Sequence, residues 1–219
     1  MKLTSKAAGA ALLTLPMLVL AGVNIDHIES PTSSFDLVND DIRIGAKSTV
    51  KDLETVNGAI ELGDGTRAAG VETVNGGIEL GAGVHVDDAE TVNGDITAGA
   101  NLTVKEDLET VNGDIRVGSN ANIGADVRTV NGAISLDRAV VNGEVVVSAG
   151  TIDTGAGSRI GKIHVEDSSN SGNSKRKPRV TVGANTVVGP IVFERDGELR
   201  VHRTATVGEV TGVKATLFD

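Results

Sequence analysis

The chain has no cysteine, tryptophan or tyrosine, and only three phenylalanines in 219 residues. Without cysteine there can be neither a disulfide nor a thiolate metal site. A globular core of this length normally takes much of its bulk from rings, so their scarcity points to a thin core filled by aliphatic side chains. It also removes the stacking platforms that sugar-cleaving β-helices usually carry. The four histidines, His27, His85, His164 and His202, share no spacing. No serine lies in a nucleophile elbow, and no glycine loop is built to cradle phosphate. No enzymatic activity, cofactor or resident metal is expected. Lys and Arg number 20 against 30 Asp and Glu, a net charge of −10. That balance speaks against nucleic acid as a partner.

What is abundant is repetition. Thr-Val-Asn-Gly begins at Thr55, Thr73, Thr91, Thr110 and Thr129, at intervals of 18, 18, 19 and 19. A fixed period near 20 residues marks a solenoid, in which each repeat buries its apolar face only against its neighbours. A longer ruler is the apolar residue two places after the glycine: Ile42, Ile60, Ile78, Ile96, Ile115, Ile134, Ile152, Val180 and Leu199. The steps are 18 or 19 throughout except for one of 28, between Ile152 and Val180. Further aliphatic columns keep the same phase. One runs through Val50, Ala68, Val86, Val104, Ile123, Asn142, Ile160, Val188 and Val207; another runs through Leu53, Val71, Ala89, Leu108, Val127, Val145, Ile163, Ile191 and Val210.

Apolar residues two apart read as short strands, and Gly and Asn at fixed offsets read as corners. The expected fold is all-β: a single-stranded parallel β-helix of about nine coils, three-sided and right-handed. At the inter-strand spacing it would be a rod of roughly 40–45 Å. Val141-Asn142-Gly143 imitates the tag out of phase. Counting from Gly132, the true corner glycine of that coil is Gly150.

Stacking would align equivalent residues. Asn57, Asn75, Asn93, Asn112 and Asn131 form one column, with Asn39 ahead of them, and side-chain amides in register can hydrogen-bond along it. Thr55, Thr73, Thr91, Thr110 and Thr129 form another. Both are expected to be structural. An ice-binding plane would call for a second Thr column, and Val holds the neighbouring place. Glu54, Glu72, Glu90 and Glu109 form a third column, ended by Arg128. Like charges in register repel, which solvent exposure can screen and a cation could relieve.

Residues 1–22 read as a secretory signal: Lys2 and Lys6, then an apolar stretch from Ala7 to Leu20. Export to the periplasm or cell envelope, with outer-membrane association as one form of it, is the expectation. Leu20-Ala21-Gly22 is similar to the end of a bacterial lipoprotein signal, but Val23 stands where the lipid-bearing Cys would be, which leaves membrane attachment open. Residues 23–34 read as a tether and 35–219 as the solenoid. The surplus of the long step falls at 168–177, an inserted loop. Its Lys175, Arg176 and Lys177, with Arg179, make the one basic cluster and a candidate docking site for an anionic partner. Residues 212–219, with Phe218 as a plug, are expected to cap the last coil.

The repeated Glu-Thr-Val-Asn-Gly-x-Ile-x-Leu-Gly unit resembles bacterial envelope β-strand-repeat proteins described as adhesins or lipoproteins. The stretch from Val180 to Ile191, Val-Thr-Val-Gly-Ala-Asn-Thr-Val-Val-Gly-Pro-Ile, resembles polymer-forming, bactofilin-like solenoids. The resemblance implies a non-enzymatic structural or adhesive role in the envelope, with self-association, or envelope glycan or another anionic surface, as partner. End-to-end polymerisation is one alternative; a carbohydrate-binding or carbohydrate-active β-helix is the other.

Overall fold

A computed structural model describes residues 22–29, 32–167 and 177–219. The expected signal therefore lies outside the described residues except for Gly22, and the inserted loop lies outside them except for Lys177. Among the described residues there is no helix, and every strand pairing is parallel. The chain winds as a β-solenoid of about ten turns.

Three rows of strands stack along the axis. The first row is an eleven-stranded sheet running from Val23–Ile25 through Ile42–Ile44, Ile60–Leu62 and Ile78–Leu80 to Ala215–Phe218. The other two rows belong to a fifteen-stranded sheet. One passes through His85–Val86, Thr103–Val104 and Asn122–Ile123. The other passes through Leu53–Thr55, Gly70–Thr73, Asp88–Thr91, Leu108–Thr110 and Val127–Thr129. The two rows merge in the longer strands Val140–Val147 and Arg159–Val165, which each pair in both.

The apolar ruler is the spine of this arrangement. Each ruler residue is the direct partner of the next, from Ile42 on Ile60 to Val180 on Leu199. All are 0–1% exposed. Strand triplets such as Ile60-Glu61-Leu62 alternate buried, exposed, buried, as a pleated strand with one wet face requires. Ile152 pairs directly with Val180. The register of the stack is therefore continuous across the long step.

Four expectations change. The ruler gains a rung at each end, because Val23 pairs with Ile42 and Ala215 with Leu199; the coils number about ten, not nine. For the same reason the start of the expected tether, Val23–Ile25, is a strand of the first turn. Residues 215–218 do not fold over the end as a plug. They add a further parallel strand, with Phe218 edge-on to His202 at 5.3 Å and Arg200 over its ring at 4.8 Å. Leu217 occupies the inward position above Val201, yet is 56% exposed, because among the described residues no further turn covers it. Finally, Val141 and not Asn142 continues the column between Ile123 and Ile160. A bulge between Val141 and Glu144 absorbs the extra residue and leaves Asn142 exposed.

Two kinds of corner hold the turns. In the first, a residue with positive φ recurs at Lys47, Gly65, Gly83, Asn101, Asn120, Arg138, Gly157 and Asn185. Gly and Asn suit that conformation; Lys47 and Arg138 adopt it against their steric preference. The second is the Asn-Gly tag, where glycine is needed for proximity. A Cβ on Gly58, Gly76, Gly94, Gly113 or Gly132 would lie 1.9–2.1 Å from a carbonyl oxygen of the turn before. Gly150 meets the oxygen of Gly132 in the same way, at 1.7 Å, so it is the corner glycine of its coil.

Candidate functional site

The tag corner follows the third row of strands, and its alternation decides which side chains reach solvent. In Leu53-Glu54-Thr55-Val56, Leu53 and Thr55 are buried while Glu54 and Val56 are exposed. Repetition turns this into two outward columns. Asp36, Glu54, Glu72, Glu90, Glu109 and Arg128 stack as direct partners. Beside them Val38, Val56, Val74, Val92 and Val111 are 39–47% exposed, a row of large apolar groups facing water. Between the columns runs an open groove of ≈ 340 Å³.

The groove is electrically uneven. Partial burial pushes the Glu90 carboxyl above its ordinary range, and Glu109 and Glu72 add to the shift. Asp88 is raised for the same first reason, with Glu72 and Glu106 contributing. At the far end Arg128 meets Glu109 at 3.3 Å, Asp126 at 3.5 Å and Glu166 at 3.1 Å. Its reach to Glu166 spans two turns, past Val146, the next rung of the outward column, which is only 1% exposed. Among the described residues no group of three or more His, Asp or Glu side chains is placed to hold a metal ion.

The sequence-predicted columns behave as follows. The Thr hydroxyls of Thr55, Thr73, Thr91, Thr110 and Thr129 are buried, and each donates to a corner carbonyl of the preceding turn at 2.8–3.0 Å. They face inward and present no plane to water. Asn57, Asn75, Asn93, Asn112 and Asn131 each donate Nδ2–H to Oδ1 of the Asn one turn before, at 2.8–3.0 Å, with Asn39 as first acceptor. Of the basic cluster, Lys175 and Arg176 lie outside the described residues. Lys177 approaches Asp196 at 3.8 Å, and Arg179 pairs with Glu198 at 2.9 Å. The insertion leaves between Val165 and Arg179, the corner that carries the tag in other turns.

Two features were not anticipated. The exposed Val column lies inside the tag itself, and strict alternation after the buried Thr was the signal for it. The second is a set of carboxylates that tie turns together. Asp41, Asp95 and Asp114 accept the backbone N–H of the residue one turn on at 2.7–2.9 Å. That bond is the largest cause holding Asp41 and Asp95 below the usual carboxylate range. His164 also gains neighbours that linear spacing hides: its Nε2 lies 2.9 Å from Glu194 and its Nδ1 3.5 Å from Glu144.

The fold and this surface together define a β-solenoid with one long, repetitive, amphipathic edge. Compared with known protein families, curated proteins and solved structures, the chain matches none.

Proposed function

We propose that this protein is a non-enzymatic structural or adhesive rod of the bacterial envelope, carried there by the signal-like segment at residues 1–22. The observation that carries the reading is the paired Val and Glu columns. They offer a valine and a carboxylate at the inter-strand spacing over five turns, Asp36 standing for Glu in the first, which suits adhesion along an edge better than capture of one small molecule. The resemblance of the Glu-Thr-Val-Asn-Gly unit to envelope repeat proteins points the same way. Cell fractionation of the full chain tests the address, and recovery in the cytosol overturns it. Retention of purified protein on isolated envelopes tests the edge. Val74→Ser with Val92→Ser should reduce retention, and unchanged retention removes the edge from the reading.

A second reading, end-to-end assembly, is favoured by the uncovered Leu217 and by the last strand, Ala215–Phe218, whose outer edge has no neighbour among the described residues. Open strand edges are templates for further pairing. Electron microscopy separates the two readings, since filaments lost on Leu217→Lys would support assembly through that end.

A further inference from the structure

The asparagine column has a chemical side that its structural role leaves untouched. Every ladder asparagine from Asn57 to Asn131 is followed by glycine. Asn-Gly is the dipeptide most open to spontaneous cyclisation, because glycine has no side chain to shield its amide nitrogen. In that reaction the glycine nitrogen attacks the Asn Cγ, an N–Cγ bond forms and the Cγ–Nδ2 bond breaks. Nδ2 departs as ammonia and the glycine amide loses its proton. Water then opens the succinimide at either carbonyl to give aspartate or isoaspartate. The net change is NH2 replaced by OH, a new negative charge and, in the isoaspartate, a backbone longer by one carbon.

The attack requires the side-chain amide to turn toward the following nitrogen, and the ladder opposes that turn unequally. Asn57, Asn75, Asn93 and Asn112 are each held twice, donating through Nδ2 and accepting at Oδ1. Asn131 is held once. It donates to Asn112 at 3.0 Å, but the next rung is Ala149, which has no amide to donate to its Oδ1. The Gly132 N–H has no hydrogen-bond partner among the described residues, and neither do those of Gly58, Gly76, Gly94 and Gly113, so the side-chain ladder is what sets the five corners apart.

We propose that the asparagine ladder protects its own Asn-Gly corners from deamidation, and that its open upper rung, Asn131-Gly132, is the modification site where the column begins to convert. Loss at Asn131 then removes the only amide donor to Asn112 Oδ1, so that Asn112 becomes the next singly held rung. Conversion should travel down the column toward the N-terminus.

The test is peptide mapping by mass spectrometry of the full chain held in mildly alkaline buffer at body temperature, with folding followed by circular dichroism. The expected order is Asn131 first, several-fold faster than Asn57, Asn75 and Asn93, since one additional hydrogen bond of ordinary net strength is worth a factor of that size. Ala149→Asn extends the ladder by one rung ahead of Gly150. It should slow loss at Asn131 several-fold and move the fast site to position 149. Asn142-Gly143 is off the column, and its glycine N–H is already held by the Ala125 carbonyl at 3.1 Å. It serves as the internal reference, and its rate should not respond. Equal rates at all five tag corners overturn the proposal, as does an Asn131 rate that Ala149→Asn leaves unchanged. Should that variant fail to fold, the order in the wild-type chain decides alone.

Discussion

Thr91 and Gly94 converge on one oxygen. The Thr91 hydroxyl donates to the Gly76 carbonyl at 2.9 Å, and the bare Cα of Gly94 packs so close that a Cβ would sit 1.9 Å from the same atom. The tag is thus a local device for bringing successive turns together, with Thr as clasp and Gly as clearance. Gly94→Ala should destabilise by about 3 kcal/mol or more, the scale of a steric conflict that backbone alone must absorb. Thr91→Val keeps the shape but leaves a half-buried carbonyl without its hydroxyl donor, for a loss of about 1 kcal/mol. Urea denaturation of the two variants against wild type measures both.

The positive-φ corner makes the opposite kind of prediction. Lys47 and Arg138 hold φ values of 58° and 46° where other turns use Gly or Asn. Relief of that strain outweighs the added freedom of glycine in the unfolded chain. Lys47→Gly and Arg138→Gly should each stabilise by about 0.5–1 kcal/mol. Gly83→Ala, at φ 67°, should cost about as much. Thermal melts of the three variants check the signs.

Glu90 in the groove and Asp88 on the same strand predict an unusual pH profile. Glu90 and Asp88 have folded pKa values above their ordinary 4.5 and 3.8. Their ionisation therefore penalises the fold at neutral pH, and the penalty fades as pH falls through the raised values toward the unfolded ones. Asp41 and Asp95 are depressed below 3.8, so their stabilisation persists above that value and is lost as pH drops through the depressed ones. Stability should climb from neutral into mildly acidic solution and then fall. Glu90→Gln should raise neutral-pH stability by about 0.5 kcal/mol, a modest value because the group is largely solvated. It should also flatten the climb, which melting curves across the acid range would record.

The long step predicts tolerance. Since Ile152 and Val180 are direct register partners like the other rungs, replacing residues 168–176 by a short Gly-Ser turn should leave the melting temperature within about 2 °C of wild type. A cooperative loss of the turns after Val180 would contradict this.

Much of the architecture was legible because a solenoid writes its contacts at constant separation. Once Ile60, Ile78 and Ile96 are aligned, their pairing partners are known. The same logic placed the Asn ladder and found Gly150 in spite of the decoy at Asn142. It failed where the period itself breaks. Val23 and Ala215 lie on end turns whose sequences lack the tag, so nothing marked them as rungs. At Asn142 a bulge shifted the column by one residue, and a fixed count cannot see a bulge. The exposed Val column and the inter-turn Asp bonds were hidden for another reason. The Val column follows by alternation only once the neighbouring Thr is known to face inward, and the Asp bonds depend on which way a side chain points at a corner, which the repeat period alone does not give.

The asparagine ladder has one more consequence. Neighbouring peptide groups in these sheets point alternately up and down, so their dipoles nearly cancel. The five side-chain amide bonds do not alternate: each runs from a later turn to an earlier one. They therefore sum, giving the molecule an electrical direction along its length, with amide hydrogens aimed at the Asn39 end and a carbonyl oxygen presented at the Asn131 end.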